Sequence, residues 1–355
     1  MKPKGRHRSR ALAGLAAGVL ALLSSPLLAD PPQPPVQTEK IAEGRSLYAA
    51  GKYKEAVRAF KEADKLANGS CAECRLRLAG SFNKLGAYQE ALKNVDSVLV
   101  MTTDKNILLG AYYERGVAFA GLAENDPKQL EPAEKAFRQV LEMSDGQINS
   151  VRFNLGITLL KMSRDEEGVA LLKEYLARGP EGVDAETARK LVANPLRARK
   201  QTIPDFELTT LAGDYLTAED MRGKVLLLDF WGTWCPPCVA AVPSLRSLSQ
   251  RMKDEPLFKL VSISTDPDEK TVRAFVAKNH MDWPQIWDKG QELTHQCNVH
   301  SFPTYVLISP EGEIIHVVGG WGTGIERDLN KQIQAAVRAA QKSAKPVGSG
   351  KVQGL

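Results

Sequence analysis

Between residues 38 and 180, apolar and small residues recur at helical spacing, and the pattern itself repeats. The decapeptide GKYKEAVRAF, starting at Gly51, returns as GAYQEALKNV at Gly86. A small residue followed four positions on by a larger apolar one recurs as Ala56/Phe60, Ala91/Val95, Ala133/Phe137 and Gly168/Leu172. Upstream of each pair lies another small residue: Gly44, Ala79, Gly116 and Gly156. This predicts four pairs of antiparallel helices. The small residues let paired helices approach, and the Phe or Leu fills the gap to the next pair. The third interval is longer, which places an insertion around AENDPKQLE (residues 123–131), and Pro180 ends the last helix.

Residues 181–200 are polar and helix-prone, a connector. From Gln201 the period changes. KVLLLDFWG (224–232) and FKLVSIST (258–265) are continuous apolar runs of buried-strand length, and TYVLIS (304–309) and EIIHVV (313–318) flank a PEG turn as a hairpin. Helical stretches at 235–253, 269–279 and 324–341 alternate with them, so residues 201–342 read as an α/β sheet domain. The predicted chain is therefore two-domain, an all-α repeat solenoid followed by an α/β fold, with a flexible tail at 343–355.

Composition changes this picture at one end only. The 355 residues are 43% hydrophobic and 25% charged, which excludes wholesale disorder and a multi-span membrane protein. The net charge of +5 arises because Lys2, Lys4, Arg6, Arg8 and Arg10 all precede the first acid, Asp30; the remainder is balanced. Nucleic-acid binding thus has no electrostatic support. Residues 1–29, a basic segment followed by the apolar stretch Ala11–Ala29, predict an export signal or an N-terminal anchor, hence a periplasmic or cell-envelope location. Residues 30–37, with Pro31, Pro32, Pro34 and Pro35, form a proline-rich spacer.

The chemistry lies in Trp234-Cys235-Pro236-Pro237-Cys238. Two cysteines three apart follow a buried strand and open a helix. The helix N-terminus favours a thiolate at Cys235, and Cys238, one turn on, is within bonding reach. Pro236 fits the first turn, where its missing N–H costs nothing. A zinc site would need four ligands, and this domain has no second Cys-x-x-Cys.

The repeats resemble tetratricopeptide repeats, with four units, and that resemblance implies a concave face binding a protein or peptide ligand. Residues 201–342 resemble the thioredoxin superfamily, particularly its TlpA/ResA-type branch. FWGTWCPPC carries the active-site pattern, Asp229 matches the buried aspartate, and Pro243 matches the helix-kink proline. SFPTYVLIS places a cis-proline at Pro303 with Phe302 before it, and Gly319-Gly320 match the glycine near the final strand's end. The resemblance implies a thioredoxin-like fold and a thiol–disulfide oxidoreductase. In it Cys235 is the nucleophile, Cys238 resolves the mixed disulfide, Asp229 handles the Cys238 proton, and Pro303 docks substrate beside a Trp234 and Phe302 rim. Protein clients with disulfides and a membrane or soluble electron donor follow. Where ResA-type proteins often carry a glutamate, this chain has Ala241, and it has Asp229 where they commonly lack an acid, so proton handling is expected to be closer to thioredoxin's. Two rivals remain: a repeat adaptor whose thioredoxin-like domain only docks partners, and a peroxiredoxin-like peroxidase.

Cys71 and Cys74 form a second Cys-x-x-Cys with no strand before it, expected as a structural disulfide. Cys297 is expected to be a buried, inert thiol. His280, His295, His300 and His316 lack metal spacing, no phosphate-binding glycine loop is present, and neither metal nor cofactor is expected. Trp283 and Trp287 are expected in the core.

Overall fold

The computed structural model describes residues 35–344, so the predicted signal, most of the spacer and the tail lie outside the described residues. The chain divides between Arg199 and Lys200 into two units.

The first unit is helical: α1 (Pro35–Ala49), α2 (Tyr53–Leu66), α3 (Ala72–Lys84), α4 (Tyr88–Met101), α5 (Lys105–Leu122), α6 (Leu130–Met143), α7 (Asn149–Lys161), α8 (Asp165–Ala177) and α9 (Val183–Ala193). Consecutive helices pack against one another, so α1–α8 make four stacked pairs that fit a tetratricopeptide-like pattern. The small residues sit where large ones press. A Cβ added at Gly44 would lie 2.5 Å from Phe60 Cε1, at Gly116 2.5 Å from Phe137 Cε1, and at Gly156 2.8 Å from Leu172 Cγ. The large side chain therefore seats first on the glycine of its own pair. It also packs on the next helices: Phe60 shares a cluster with Leu78 of α3, Phe137 with Val151 and Leu155 of α7, and Leu172 with Ala188 and Leu191 of α9.

The turn inside each pair is also set by sequence. Gly51 and Gly86, two positions before α2 and α4, have φ of 74° and 73°, a left-handed conformation that glycine adopts at no steric cost. The extra residues of the third pair lie in the α5–α6 connection, where Asp126 opens a 3₁₀ turn at Pro127–Gln129. Beyond the fourth pair, α9 buries Ala185, Ala188 and Leu191, with Ala188 and Leu191 joining Phe153, Leu172 and Tyr175 in one cluster. The helix-prone segment after residue 180 thus closes the stack.

The second unit contains β1 (Glu207–Thr209), β2 (Tyr215–Thr217), β3 (Val225–Trp231), α10 (Pro236–Arg251), β4 (Phe258–Ser264), α11 (Glu269–Lys278), β5 (Gln285–Trp287), α12 (Glu292–Gln296), β6 (Thr304–Ile308), β7 (Ile314–Gly319) and α13 (Thr323–Ala344). The main sheet has order β5-β4-β3-β6-β7; β3 is parallel to β4 and antiparallel to β6. Central β3 is buried at every residue, which explains its unbroken apolar run. Its alternate residues feed two cores. Val225, Leu227 and Trp231 pack with α10, α11 and α13, and Leu226, Leu228 and Phe230 pack with Phe206, Leu293 and Val299. The short β1–β2 pair and α12 were not foreseen. Their strand pattern runs to three residues each, and five residues make little more than one helical turn.

Candidate active site

β3 runs into the loop Gly232–Trp234, and Cys235 caps the N-terminus of α10. Pro236 and Pro237 fill the first two helical positions. The first N–H able to reach back is that of Cys238, which donates to Cys235 Sγ at 3.3 Å. The two cysteines are joined in a disulfide and are 4% and 2% exposed. The loop before them is held by Asp266, a buried residue that sequence reasoning missed. Thr233 donates its N–H to Asp266 Oδ2 at 2.9 Å, and Ser264 donates its hydroxyl to the same oxygen at 2.8 Å. Trp287 Nε1 donates to the Asp266 carbonyl at 2.7 Å. The signal was an aspartate two residues past the end of a strand parallel to β3.

An apolar rim borders the disulfide. Trp234 is 54% exposed and meets Phe302 edge-to-face, ring centroids 5.4 Å apart. Its indole folds back over Gly232, where a Cβ would lie 2.5 Å from Nε1. The Phe302-Pro303 peptide bond is cis, and the Pro303 carbonyl accepts the N–H of Gly320 at 2.7 Å. Gly320, directly after β7, has φ of 83°, a conformation glycine adopts at no steric cost.

Asp229 sits mid-β3, 1% exposed, between Ser262 on β4 and Tyr305 on β6. Strand alternation points it to the face that carries Trp231, Cys235 and Cys238. Ser262 Oγ donates to Asp229 Oδ2 at 2.7 Å, and Oδ1 makes no hydrogen bond to the described protein. Burial pushes the carboxyl up to about 7, against the opposing pull of the Ser262 hydroxyl. Burial, reinforced by Asp229, also raises the Tyr305 phenol. Asp229 is thus a carboxyl that gains and loses a proton near neutrality.

The remaining candidates belong neither to the Cys235–Cys238 disulfide nor to its rim. Cys71 and Cys74 are joined at the start of α3 in the helical unit. Cys297 packs against the opposite core of the sheet, and burial pushes its thiol up to about 12. Trp283 is buried, with Nε1 donating to Ser262 at 2.8 Å, while Trp287 is half-buried. Pro243 lies inside α10, and His316 approaches Asp328 at 3.0 Å. Among the described residues, no group of three or more His, Cys, Asp or Glu is arranged to hold a metal.

Comparison with known proteins bears on this geometry. The family model described as Redoxin matches residues 198–332. "Thioredoxin-like protein YneN" of Bacillus subtilis is 34% identical over 136 residues, covering 38% of this chain and 77% of that one. "Thiol-disulfide oxidoreductase ResA" of Halalkalibacterium halodurans is 32% identical over 124 residues, 35% and 69% of the respective chains. The chain belongs to the thioredoxin-like thiol–disulfide oxidoreductases, with a Redoxin domain in its C-terminal region. A solved thiol-disulfide oxidoreductase from Bacteroides fragilis is similar at 29% identity, covering 37% of this chain and 99% of that one, with a TM-score of 0.34. The Redoxin match, residues 198–332, begins two residues before the second unit and otherwise lies in it.

Proposed function

We infer that this oxidoreductase is an exported reductase of protein disulfides, with Cys235 and Cys238 as its exchanging pair and the helical repeats recruiting its clients. The observation that carries the reading is the Cys-x-x-Cys at the N-terminus of α10, on the same sheet face as a buried carboxyl titrating near neutrality.

The Cys235 thiolate, receiving the Cys238 N–H and sitting at the positive end of α10, attacks one sulfur of a client disulfide. A mixed disulfide forms, and the client's other sulfur leaves as a thiolate. Cys238 then gives up its proton, for which the Asp229 carboxylate is the acceptor, and attacks Cys235 Sγ. The second client thiolate departs and the Cys235–Cys238 disulfide closes. Two electrons have passed to the client, so a membrane or soluble dithiol must restore the enzyme. The Trp234–Phe302 rim beside cis-Pro303 offers apolar contact to an extended client segment. The basic and apolar segment at residues 1–29 supports export. Among the described residues, no helix is long and apolar enough to cross a membrane.

Insulin reduction driven by dithiothreitol tests the reading. The full chain is expected to accelerate precipitation of the insulin B chain, and Cys235→Ser to abolish the acceleration. A wild-type chain with no effect would leave the adaptor reading in its place, and consumption of peroxide instead would favour the peroxidase.

A further inference from the structure

The helical unit carries its own Cys-x-x-Cys, and its local build matches that of the pair on α10. Cys71 caps the thirteen-residue α3, and its Sγ accepts the N–H of Cys74 at 3.1 Å, as Cys235 Sγ accepts that of Cys238 at 3.3 Å. Exposure is matched as well: 6% and 0% for Cys71 and Cys74, 4% and 2% for Cys235 and Cys238. In each pair the capping cysteine is the more exposed residue. Around Cys71 the charges compensate. Asp64 Oδ1 accepts the Cys71 N–H at 3.2 Å, and the Arg75 guanidinium lies 3.3 Å from Asp64 Oδ2. The Asp64 charge therefore has a cation beside it, which limits its repulsion of a thiolate at Cys71.

As a staple this bond has little to do. It links residues three apart, which the first turn of α3 already holds together, and the chain-entropy gain of a disulfide is smallest for so short a loop. Nor does it tie α3 to another helix. We propose that Cys71–Cys74 is a second redox centre, a disulfide that exchanges with dithiols and gives the chain a four-electron rather than a two-electron capacity. A donor thiolate attacks Cys71 Sγ, and Cys74 leaves as a thiolate and takes a proton. The donor's second thiol attacks its own sulfur in the mixed disulfide and expels Cys71. The donor becomes a disulfide, two electrons have entered the pair, and the Cys71 thiolate keeps the Cys74 N–H as its hydrogen-bond donor.

The full chain carrying Cys235→Ser and Cys238→Ser is equilibrated with graded mixtures of reduced and oxidised dithiothreitol, quenched, and labelled with a mass-shifting maleimide, with circular dichroism followed in parallel. Two labels are expected to appear together, at Cys71 and Cys74, with the helical signal retained. The midpoint is expected within about a hundredfold, in reduced-to-oxidised ratio, of that for Cys235–Cys238 in the unsubstituted chain. In the unsubstituted chain the same titration should release four thiols besides Cys297. Labelling of Cys71 and Cys74 only after denaturant is added, release of only two thiols, or a midpoint further away than that range would overturn the proposal.

Discussion

Ser262 donates its hydroxyl proton to Asp229 Oδ2 at 2.7 Å while receiving the Trp283 Nε1–H at 2.8 Å. An indole N–H can only donate, so Trp283 occupies an acceptor site of the hydroxyl and leaves its single proton for Asp229. The three buried groups form a directed chain that ends on the carboxylate, and it favours the anion against the burial that opposes it.

Ser262→Ala removes the hydrogen bond to the charged form and leaves the burial. A hydrogen bond to a charged group is worth about 1.5–3 kcal/mol, so the proton affinity of Asp229 should rise about tenfold or more. The titration of a ¹³C-labelled Asp229 carboxyl, near pH 7 in the unsubstituted chain, should move upward. The pH profile of insulin reduction should move with it. An unchanged midpoint would separate Ser262 from proton handling.

The same carboxyl makes stability depend on pH. Its folded-state value of about 7 stands above the ordinary 3.8, so between those limits the folded chain holds a proton that the unfolded chain has released. Stability therefore falls as pH rises from about 4 to 7 and is flat above. A shift of this size corresponds to roughly 4 kcal/mol. Asp229→Asn should remove the dependence. At pH 8 it should melt several degrees above the unsubstituted chain, and at pH 4 the two should nearly coincide, as checked by calorimetry across that range. Equal melting temperatures at pH 8 would count against a buried, ionising Asp229.

Legibility followed the length over which a physical constraint acts. Buried β3 and β4 were readable as apolar runs because both of their faces are covered, and the helix pairs were readable because Gly44, Gly116 and Gly156 each face a large side chain. Cys235, Cys238, Asp229, Phe302 and Pro303 could be named as candidates because the family resemblance puts them at fixed offsets within two short segments. Asp266 and Ser262 escaped, as did the hydrogen bond that the core residue Trp283 makes. Their partners are 33 and 21 positions away, and only the pairing of β4 with β3 on one side and β5 on the other brings them together. Ser163 escaped for another reason. It stands two residues before α8, where Gly51 and Gly86 stand before α2 and α4, and it keeps the left-handed φ, 63°, without being glycine.

That position supports a prediction of its own. A left-handed conformation costs a non-glycine residue about 1 kcal/mol. Ser163→Gly should relieve most of this cost, offset by the greater freedom of glycine in the unfolded chain, for a net gain of roughly 0.5 kcal/mol. Gly51→Ser should lose a similar amount. Urea unfolding of the full chain, followed by helical circular dichroism, measures both, and a destabilised Ser163→Gly would contradict the backbone assignment.

The order of attack separates the two active-site cysteines. With Cys235 at the helix cap and Cys238 one turn inside, Cys238→Ser should accumulate mixed disulfides with client proteins, because the resolving sulfur is gone. Cys235→Ser should accumulate none. Deleting residues 38–180 from the trapping variant should leave insulin reacting and lose the selected clients. Capture through Cys238 alone would reverse the assignment, and an unchanged client set would remove the recruiting role from the repeats.

The direction of electron flow rests on the helix start. At a helix start the N–H groups of the second and third positions are the ones that can reach the cap residue. Here Pro237 takes the second position and offers none, so Cys238 alone donates to Cys235 Sγ. An ionised Asp229 on the same face of the sheet disfavours negative charge further. Both effects weaken the dithiol relative to the disulfide, and the expected potential lies nearer about −270 mV, as in thioredoxin, than about −120 mV, as in the oxidant DsbA. Pro237→Ala returns one donor. Its hydrogen bond to the thiolate, worth about 1.5–3 kcal/mol, should raise the potential by roughly 30–60 mV. Equilibration with glutathione, read through the fluorescence of Trp234 beside the disulfide, measures both chains. An unsubstituted potential above about −180 mV would make the protein an oxidase or isomerase, and a Pro237→Ala chain with unchanged potential would show that the missing N–H does not set the poise.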